Sequence, residues 1–167
     1  MTADPAHKRS DAPGPIRCHV ITVSDTRTAA DDRSGALLVE RLAAAGHTVT
    51  GPVIVRDQAN LIRVAVLEAL QAGARAVILN GGTGITPRDV TPEALIPLLE
   101  KPLPGFGELF RALSFDEIGA SCILSRAVAG VRGNAFIAAL PGSTAACRLG
   151  VERILLPVLP HVIGLVS

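Results

Sequence analysis

Apolar residues along this chain come in short runs whose period switches between that of a strand and that of a helix. Ile16–Val23 (IRCHVITV) is a continuous apolar run of strand length, and a polar loop, SDTRTAADDRSG, follows it. Asp32 or Ser34 then caps a predicted helix reaching about Ala45, with Leu38, Leu42 and Ala45 on one face and Gly46 as its stop. Val49–Arg56 (VTGPVIVR) reads as a second strand, weakened near its start by Gly51-Pro52. Asp57 opens a second helix through about Ala72, which turns Leu61, Ile62, Ala65, Val66, Ala69 and Leu70 toward a sheet before Gly73 ends it. Ala76–Leu79 is a third strand, running into the turn GGTG.

Thr91-Pro92-Glu93 has the chemistry of a helix start, with Pro at the first helical position. Lys101–Gly107 (KPLPGFG) is expected to break that helix, Glu108–Leu113 to resume it, and Ser114–Gly119 to turn. Two extended runs, Ala127–Val131 and Ala135–Leu140, flank Arg132-Gly133-Asn134 and predict a hairpin. A last helix is expected over Ala145–Leu156, bent or ended by Pro157 and Pro160. Alternation in this order predicts a three-layer α/β/α sandwich with a mostly parallel sheet and one antiparallel edge strand. Residues 16–167 form the predicted domain, and the polar, Pro-containing residues 1–15 read as a disordered tail.

Composition sharpens this reading. The chain is 49% hydrophobic but only 2% aromatic, so the core has to be aliphatic, as a parallel sheet buried on both faces requires. With so few rings and a formal charge of +1, neither single-stranded nucleic acid nor a bulk polyanion is an expected partner. Cys18, Cys122 and Cys147 are widely spaced and odd in number, which reads as buried thiols in a reducing cytosol. No run is long enough to span a bilayer, and the first residues lack the apolar stretch of a signal peptide, so a cytoplasmic protein is expected.

Ligands of open α/β sheets bind beyond the carboxyl ends of the strands. Four such ends carry polar loops: Ser24-Asp25-Thr26-Arg27, Asp57-Gln58, Gly81–Asp89 and Pro141–Thr144. The turn Gly81-Gly82-Thr83-Gly84 allows backbone N–H groups to converge on an anion, with phosphate the natural guest; a plain tight turn is the competing reading. It matches neither the P-loop nor the dinucleotide fingerprint. Asp89 beside a phosphate cradle calls for a counter-charge, either Mg²⁺ or Arg88, unless it merely caps the next helix. Asp57 is a helix cap or a second carboxylate for a metal. Asp25 is a turn residue or part of a site, in a loop too long for a mere connector. Pro141, Gly142 and Ser143 precede a helix whose N-terminus suits an anion, and Ser143 also fits an ordinary cap. Arg126 is a candidate phosphate partner or a solvated side chain. The four histidines have no ligand spacing.

The stretches ITVSDTR (21–27), GGTG with DVTPEA (89–94), PGFGELFR (104–111), SRAVAG (125–130) and ALPGS (139–143) together resemble the MoaB/MogA molybdopterin-binding family. SDTRT, LFRALSFDEIG and LPGSTAACRL are most similar to its MoaB branch. The resemblance spans nearly all of the chain after residue 15. It implies molybdenum cofactor biosynthesis in a homotrimer or a hexamer of paired trimers. It also implies reaction of molybdopterin with Mg²⁺ and ATP to give adenylyl-molybdopterin and pyrophosphate, and contacts with other proteins of that biosynthesis.

Carried over by position, the resemblance implies nucleotide phosphate at Gly81, Gly82, Thr83 and Gly84, and turnover, with Mg²⁺, at Asp57 and Asp89. Ser24 and Asp25 fall in its SD motif at the pocket. Pro141, Gly142 and Ser143 would meet nucleotide or phosphate. Pro104, Gly105 and Phe106 would shape the pocket, with Ser125 and Arg126 nearby. The family's MogA-type members read LPG-x-P-K after the last strand, where this chain has Ser143, Thr144 and Ala145. That departure keeps open a non-catalytic molybdopterin carrier or scaffold. An unrelated phosphate-binding enzyme, such as a sugar-phosphate isomerase, lacks a His or Cys pair for proton transfer.

Overall fold

The computed structural model describes residues 14–167. The expected polar tail therefore lies, except for Gly14 and Pro15, outside the described residues. The elements are β1 (Arg17–Val23), α1 (Arg33–Ala44), β2 (Thr48–Val55), α2 (Ala59–Gln71), β3 (Ala76–Asn80), α3 (Thr91–Leu95), β4 (Lys101–Pro102), α4 (Pro104–Ile118), β5 (Val128–Arg132), β6 (Ala135–Leu140), α5 (Thr144–Gly150) and α6 (Leu156–Leu165). The six strands form one sheet in the order β2-β1-β3-β6-β5-β4. β1, β2, β3 and β6 run parallel, while β5 is antiparallel to both of its neighbours.

Strand alternation divides the core in two. Cys18 and Val20 of β1, Ala76 and Ile78 of β3, and Phe136, Ala138 and Leu140 of β6 face one side. There they meet Leu38 and Leu42 of α1, Phe110 of α4, Cys147 of α5 and Leu159 of α6. Ile21, Val77, Leu79, Ile137 and Ala139 face the other side, against Ile62, Val66 and Ala69 of α2 and Ala94 and Leu95 of α3. A sheet with helices on both faces leaves its central strands dry, which is why they read as unbroken apolar runs. All three cysteines are buried and unpaired, as expected. Among the described residues, no helix is long and apolar enough to cross a membrane.

Five local expectations are corrected. The reversed strand β5 is not the edge: the two-residue β4 lies outside it, too short to leave a sequence pattern. The PGFG stretch does not break a helix but starts one, because Pro104 sits at the first helical position, where its missing N–H costs nothing. That helix passes through Ser114, whose hydroxyl donates to Phe110 O (2.7 Å), and ends at Gly119 with φ +59°. The final helix does not stop at its prolines; a π-turn over Val151–Leu155 precedes Pro157 and lets the helix continue to Leu165. On α2, Leu61 points outward and is 38% exposed rather than packed on the sheet.

Candidate functional site

Because β1, β2, β3 and β6 are parallel, their carboxyl ends share one rim, and the antiparallel β5 begins there. The chain winds outward from β1 to β2, then crosses back to β3, so the crevice between the ends of β1 and β3 is the topological switch point. All four polar loops predicted from sequence reach this rim.

The glycine turn is forced by what surrounds it. Gly81 and Gly82 have φ of +99° and +65°, a region that favours glycine. A side chain on Gly82 would lie 2.7 Å from Asp57 Oδ1, and one on Gly84 would lie 2.8 Å from Asp89 Oδ2. On Gly142 it would come to 3.2 Å from Gly81 Cα. The acids and the Pro141–Ser143 loop thus close on the turn from either side. Gly81 N–H is spent on Leu140 O (3.0 Å), and Thr91 ties the turn from below through Oγ1 to Gly81 O (2.9 Å) and N–H to Gly82 O (3.0 Å).

Asp25, Asp57 and Asp89 form an acidic corner. Asp57 N–H donates to Asp25 Oδ1 (3.2 Å), and Asp57 Oδ1 accepts from Val90 N–H (3.3 Å). Burial raises the Asp57 carboxyl above its ordinary pKa; the Val90 bond opposes this, while the charges of Asp89 and Asp25 reinforce it. Asp89 goes the other way. Burial pushes it up, but bonds from the Thr86 hydroxyl (2.6 Å) and Thr86 N–H (2.8 Å) to Oδ2, aided by the Gly84 backbone and Arg126, outweigh this and lower it. Two neighbouring carboxylates with opposite shifts mark a polarised site. Among the described residues, no cluster of three His, Cys, Asp or Glu is placed to hold a metal by itself. Asp57 packs on the turn at Gly82 and Asp89 at Gly84, and one or two carboxylates are the donor chemistry that Mg²⁺ takes beside phosphate oxygens and water.

A cavity of about 460 Å³ opens beside the turn. Gly81–Gly84, Asp89, Ser125 and Pro141–Ser143 line it together with Phe110, Ser114, Glu117 and Ile118 of α4, Leu124 and Leu149. Several expected members stand differently: Asp25 and Asp57 are not in the cavity lining, Asp57 packing against the turn at Gly82. Arg126 is not a free anion partner: its guanidinium donates to Gly84 O (2.8 Å) and Asp89 O (2.7 Å) and pairs with Glu93, and its N–H donates to Thr83 O (3.0 Å). It braces the turn instead. Ser24 Oγ accepts from Thr26 and Arg27 N–H (3.2 and 3.1 Å) and shapes its own loop rather than a cavity wall. Pro104, Gly105 and Phe106 line a second, largely apolar groove of about 700 Å³ with Pro157 and His161, because α4 begins one turn before the part of it that reaches the cavity.

The sequence reading missed a polar cluster behind the Pro141–Ser143 loop. Asp32, which caps α1 through Gly35 N–H, also accepts from Thr22 Oγ1 (2.6 Å) and pairs with Arg27 (3.3 Å). Arg27 and Ser34 both donate to Gly142 O (2.8 Å each). Asn80 joins from β3 by donating to Thr22 Oγ1 (2.9 Å). Asp32 and Ser34 stood out only as caps, and Arg27 only as part of SDTR.

Residues 19–161 match the family described as a probable molybdopterin binding domain. The chain is 51% identical over 156 residues to the molybdenum cofactor biosynthesis protein B of Halalkalibacterium halodurans, covering 92% of each chain. It is 45% identical over 144 residues to the protein of that name from Escherichia coli K12, covering 86% of this chain and 85% of that one. A crystal structure of a molybdenum cofactor biosynthesis protein B superposes with TM-score 0.87 at 48% identity, covering 91% of this chain and 96% of that one. The tungsten cofactor synthesizing protein MoaB of Pyrococcus furiosus does so with TM-score 0.85 at 38% identity, covering 93% and 99%. With the glycine turn, its two acids and the LPGS loop gathered on one rim of this fold, the chain belongs to the MoaB/MogA family of molybdenum cofactor biosynthesis proteins, which carry the probable molybdopterin binding domain.

Proposed function

We propose that this chain binds molybdopterin and ATP in the rim cavity and transfers the adenylyl group to the pterin phosphate. The observation that carries the reading is the convergence of the Gly81–Gly84 turn, Asp89 and the Pro141–Ser143 loop around one cavity that also has apolar lining, with Asp57 packed against the turn at Gly82. A lining that combines backbone N–H groups of a glycine turn with apolar side chains suits a ligand that carries both a phosphate and a ring system.

A phosphate oxygen of the pterin attacks the α-phosphorus of ATP. The bond from that phosphorus to the bridging oxygen breaks, and pyrophosphate leaves with the electron pair. The nucleophile is already ionised, so no side chain has to take its proton. The N–H groups of Gly82 and Thr83 hold phosphoryl oxygens in line, so the chain contributes by positioning and fixed dipoles. Asp57 and Asp89 would hold Mg²⁺, which would supply charge neutralisation for the phosphates. Arg126 keeps the turn in shape.

Asp89→Asn is expected to retain molybdopterin affinity and to abolish pyrophosphate release from protein, molybdopterin, ATP and Mg²⁺. Turnover of that variant at the normal rate would remove Asp89 from the mechanism. A second reading, a carrier or scaffold without turnover, draws support from Ser143-Thr144-Ala145 standing where MogA-type relatives have a lysine. Molybdopterin binding without pyrophosphate release from the unmodified protein would establish it. Under either reading a homo-oligomer is the expected state, and the exposure of Phe115, Ile118 and Ile123 by more than half around the carboxyl end of α4 supports it.

A further inference from the structure

We infer that the Arg27–Asp32 pair is a positioning device that orients the Gly142–Ser143 peptide toward bound phosphate. Neither residue lines the cavity. Their effect passes through one carbonyl. Gly142 O accepts from Arg27 Nη2 and from Ser34 Oγ, both at 2.8 Å and both from the α1 side. In a trans peptide the C=O and the following N–H point in opposite directions. Holding Gly142 O against α1 therefore turns Ser143 N–H away from α1, and Gly142 and Ser143 both line the cavity. The preceding peptide is held as well, because Cys147 Sγ of α5 donates to Pro141 O (3.3 Å). Burial pushes the Cys147 thiol up to about 12, so it keeps the proton this bond requires.

The pair is built to be rigid. The Asp32 side chain is 1% exposed and is fixed by two further partners besides the guanidinium: Thr22 Oγ1, and Gly35 N–H in the cap of α1. A side chain on Gly35 would approach Thr22 Oγ1 to 2.6 Å and Pro52 Cβ to 2.8 Å, so α1 is wedged against β1 and β2 with no slack. Arg27, one-third exposed, is the movable end, and its fork spans Asp32 and Gly142 at once. A lysine has no fork to bridge both acceptors. The chain thus links the loop after β1 to the loop after β6, 115 residues apart, through a single guanidinium.

This inference rests on the phosphate-binding reading of the cavity. The probe is inorganic pyrophosphate with Mg²⁺, titrated into the full-length protein and followed by calorimetry and by amide chemical shifts. In the unmodified protein, the amide protons of Ser143 and of Gly82 or Thr83 are expected to move downfield on binding. Arg27→Met should weaken pyrophosphate binding by about tenfold, the scale of one charge-assisted hydrogen bond. It should erase the Ser143 displacement while leaving that of the glycine turn. Ser34→Ala removes the other donor to Gly142 O without stranding a charge. It should reproduce the same selective loss in reduced form, which covers the case in which Arg27→Met fails to fold. A Ser143 displacement unchanged in either folded variant overturns the inference and leaves the cavity reading standing. If neither loop of the unmodified protein responds to pyrophosphate, the cavity reading falls and the inference falls with it.

Discussion

Replacing Gly82 with alanine tests the geometry of the site most directly. Gly82 sits at φ +65°, and its missing side chain is the space into which Asp57 Oδ1 and Thr91 Oγ1 fit. The backbone conformation alone costs an L-residue about 1–2 kcal/mol. Moving Thr91 aside gives up its bond to Gly81 O, worth about 1 kcal/mol more. The sum is about 2–3 kcal/mol, and at about 2–4 °C per kcal/mol for a domain of this size Tm falls by about 4–12 °C. Gly133 is the internal control: its φ is +54°, and a side chain there would meet nothing within 4 Å. Gly133→Ala should therefore show only the conformational part, about 1–2 kcal/mol. Thermal unfolding of both variants by calorimetry measures the difference, and pyrophosphate release measures function. Gly82→Ala should lose turnover, whereas Gly133→Ala should keep it. Equal losses of stability in the two variants would refute the claim that the turn is shaped by contact with Asp57 and Thr91.

Three other outcomes are expected. Asp57 is raised on folding, chiefly by burial, so its contribution to stability is present below the unfolded value of 3.8 and lost as pH rises through the folded value. Asp57→Asn should then melt above the unmodified protein near neutral pH, with the gap closing in acid and shrinking when Mg²⁺ and ATP are added; melting curves across pH check this. Arg126→Lys keeps a charge but cannot reach Gly84 O and Asp89 O together, so it should lower Tm and raise KM for ATP more than it lowers kcat. Light scattering after gel filtration should give the mass of three or six chains, and replacing Phe115 and Ile118 with charged residues should reduce it.

The order of strands and helices was legible because it is written locally. Buried central strands need unbroken apolar runs, helices need a 3.6-residue period, and Gly46, Gly73 and Thr91-Pro92 mark the boundaries chemically. The rim site was partly legible for a related reason. Polar loops directly after buried strands must fall at one edge of a parallel sheet, which brought Asp57, Asp89, Gly81–Gly84 and Pro141–Ser143 into view before any coordinates. What was misread lay where local chemistry permits two outcomes: Pro104 can break a helix or begin one, and a polar Ser114 can turn or bond back to Phe110 O.

What the tertiary structure alone decided is which distant groups share an acceptor. Arg126 reads as a candidate anion ligand until Gly84 O and Asp89 O are seen to consume its donors. Arg27 reads as loop decoration until Gly142 O, 115 residues away, is seen to take its hydrogen bond. Periodicity and turn chemistry act between neighbours in the chain and can be read from it. A hydrogen bond across the rim depends on the order in which β1, β3 and β6 pack, and that order follows from the summed burial of both faces of the sheet rather than from any one stretch.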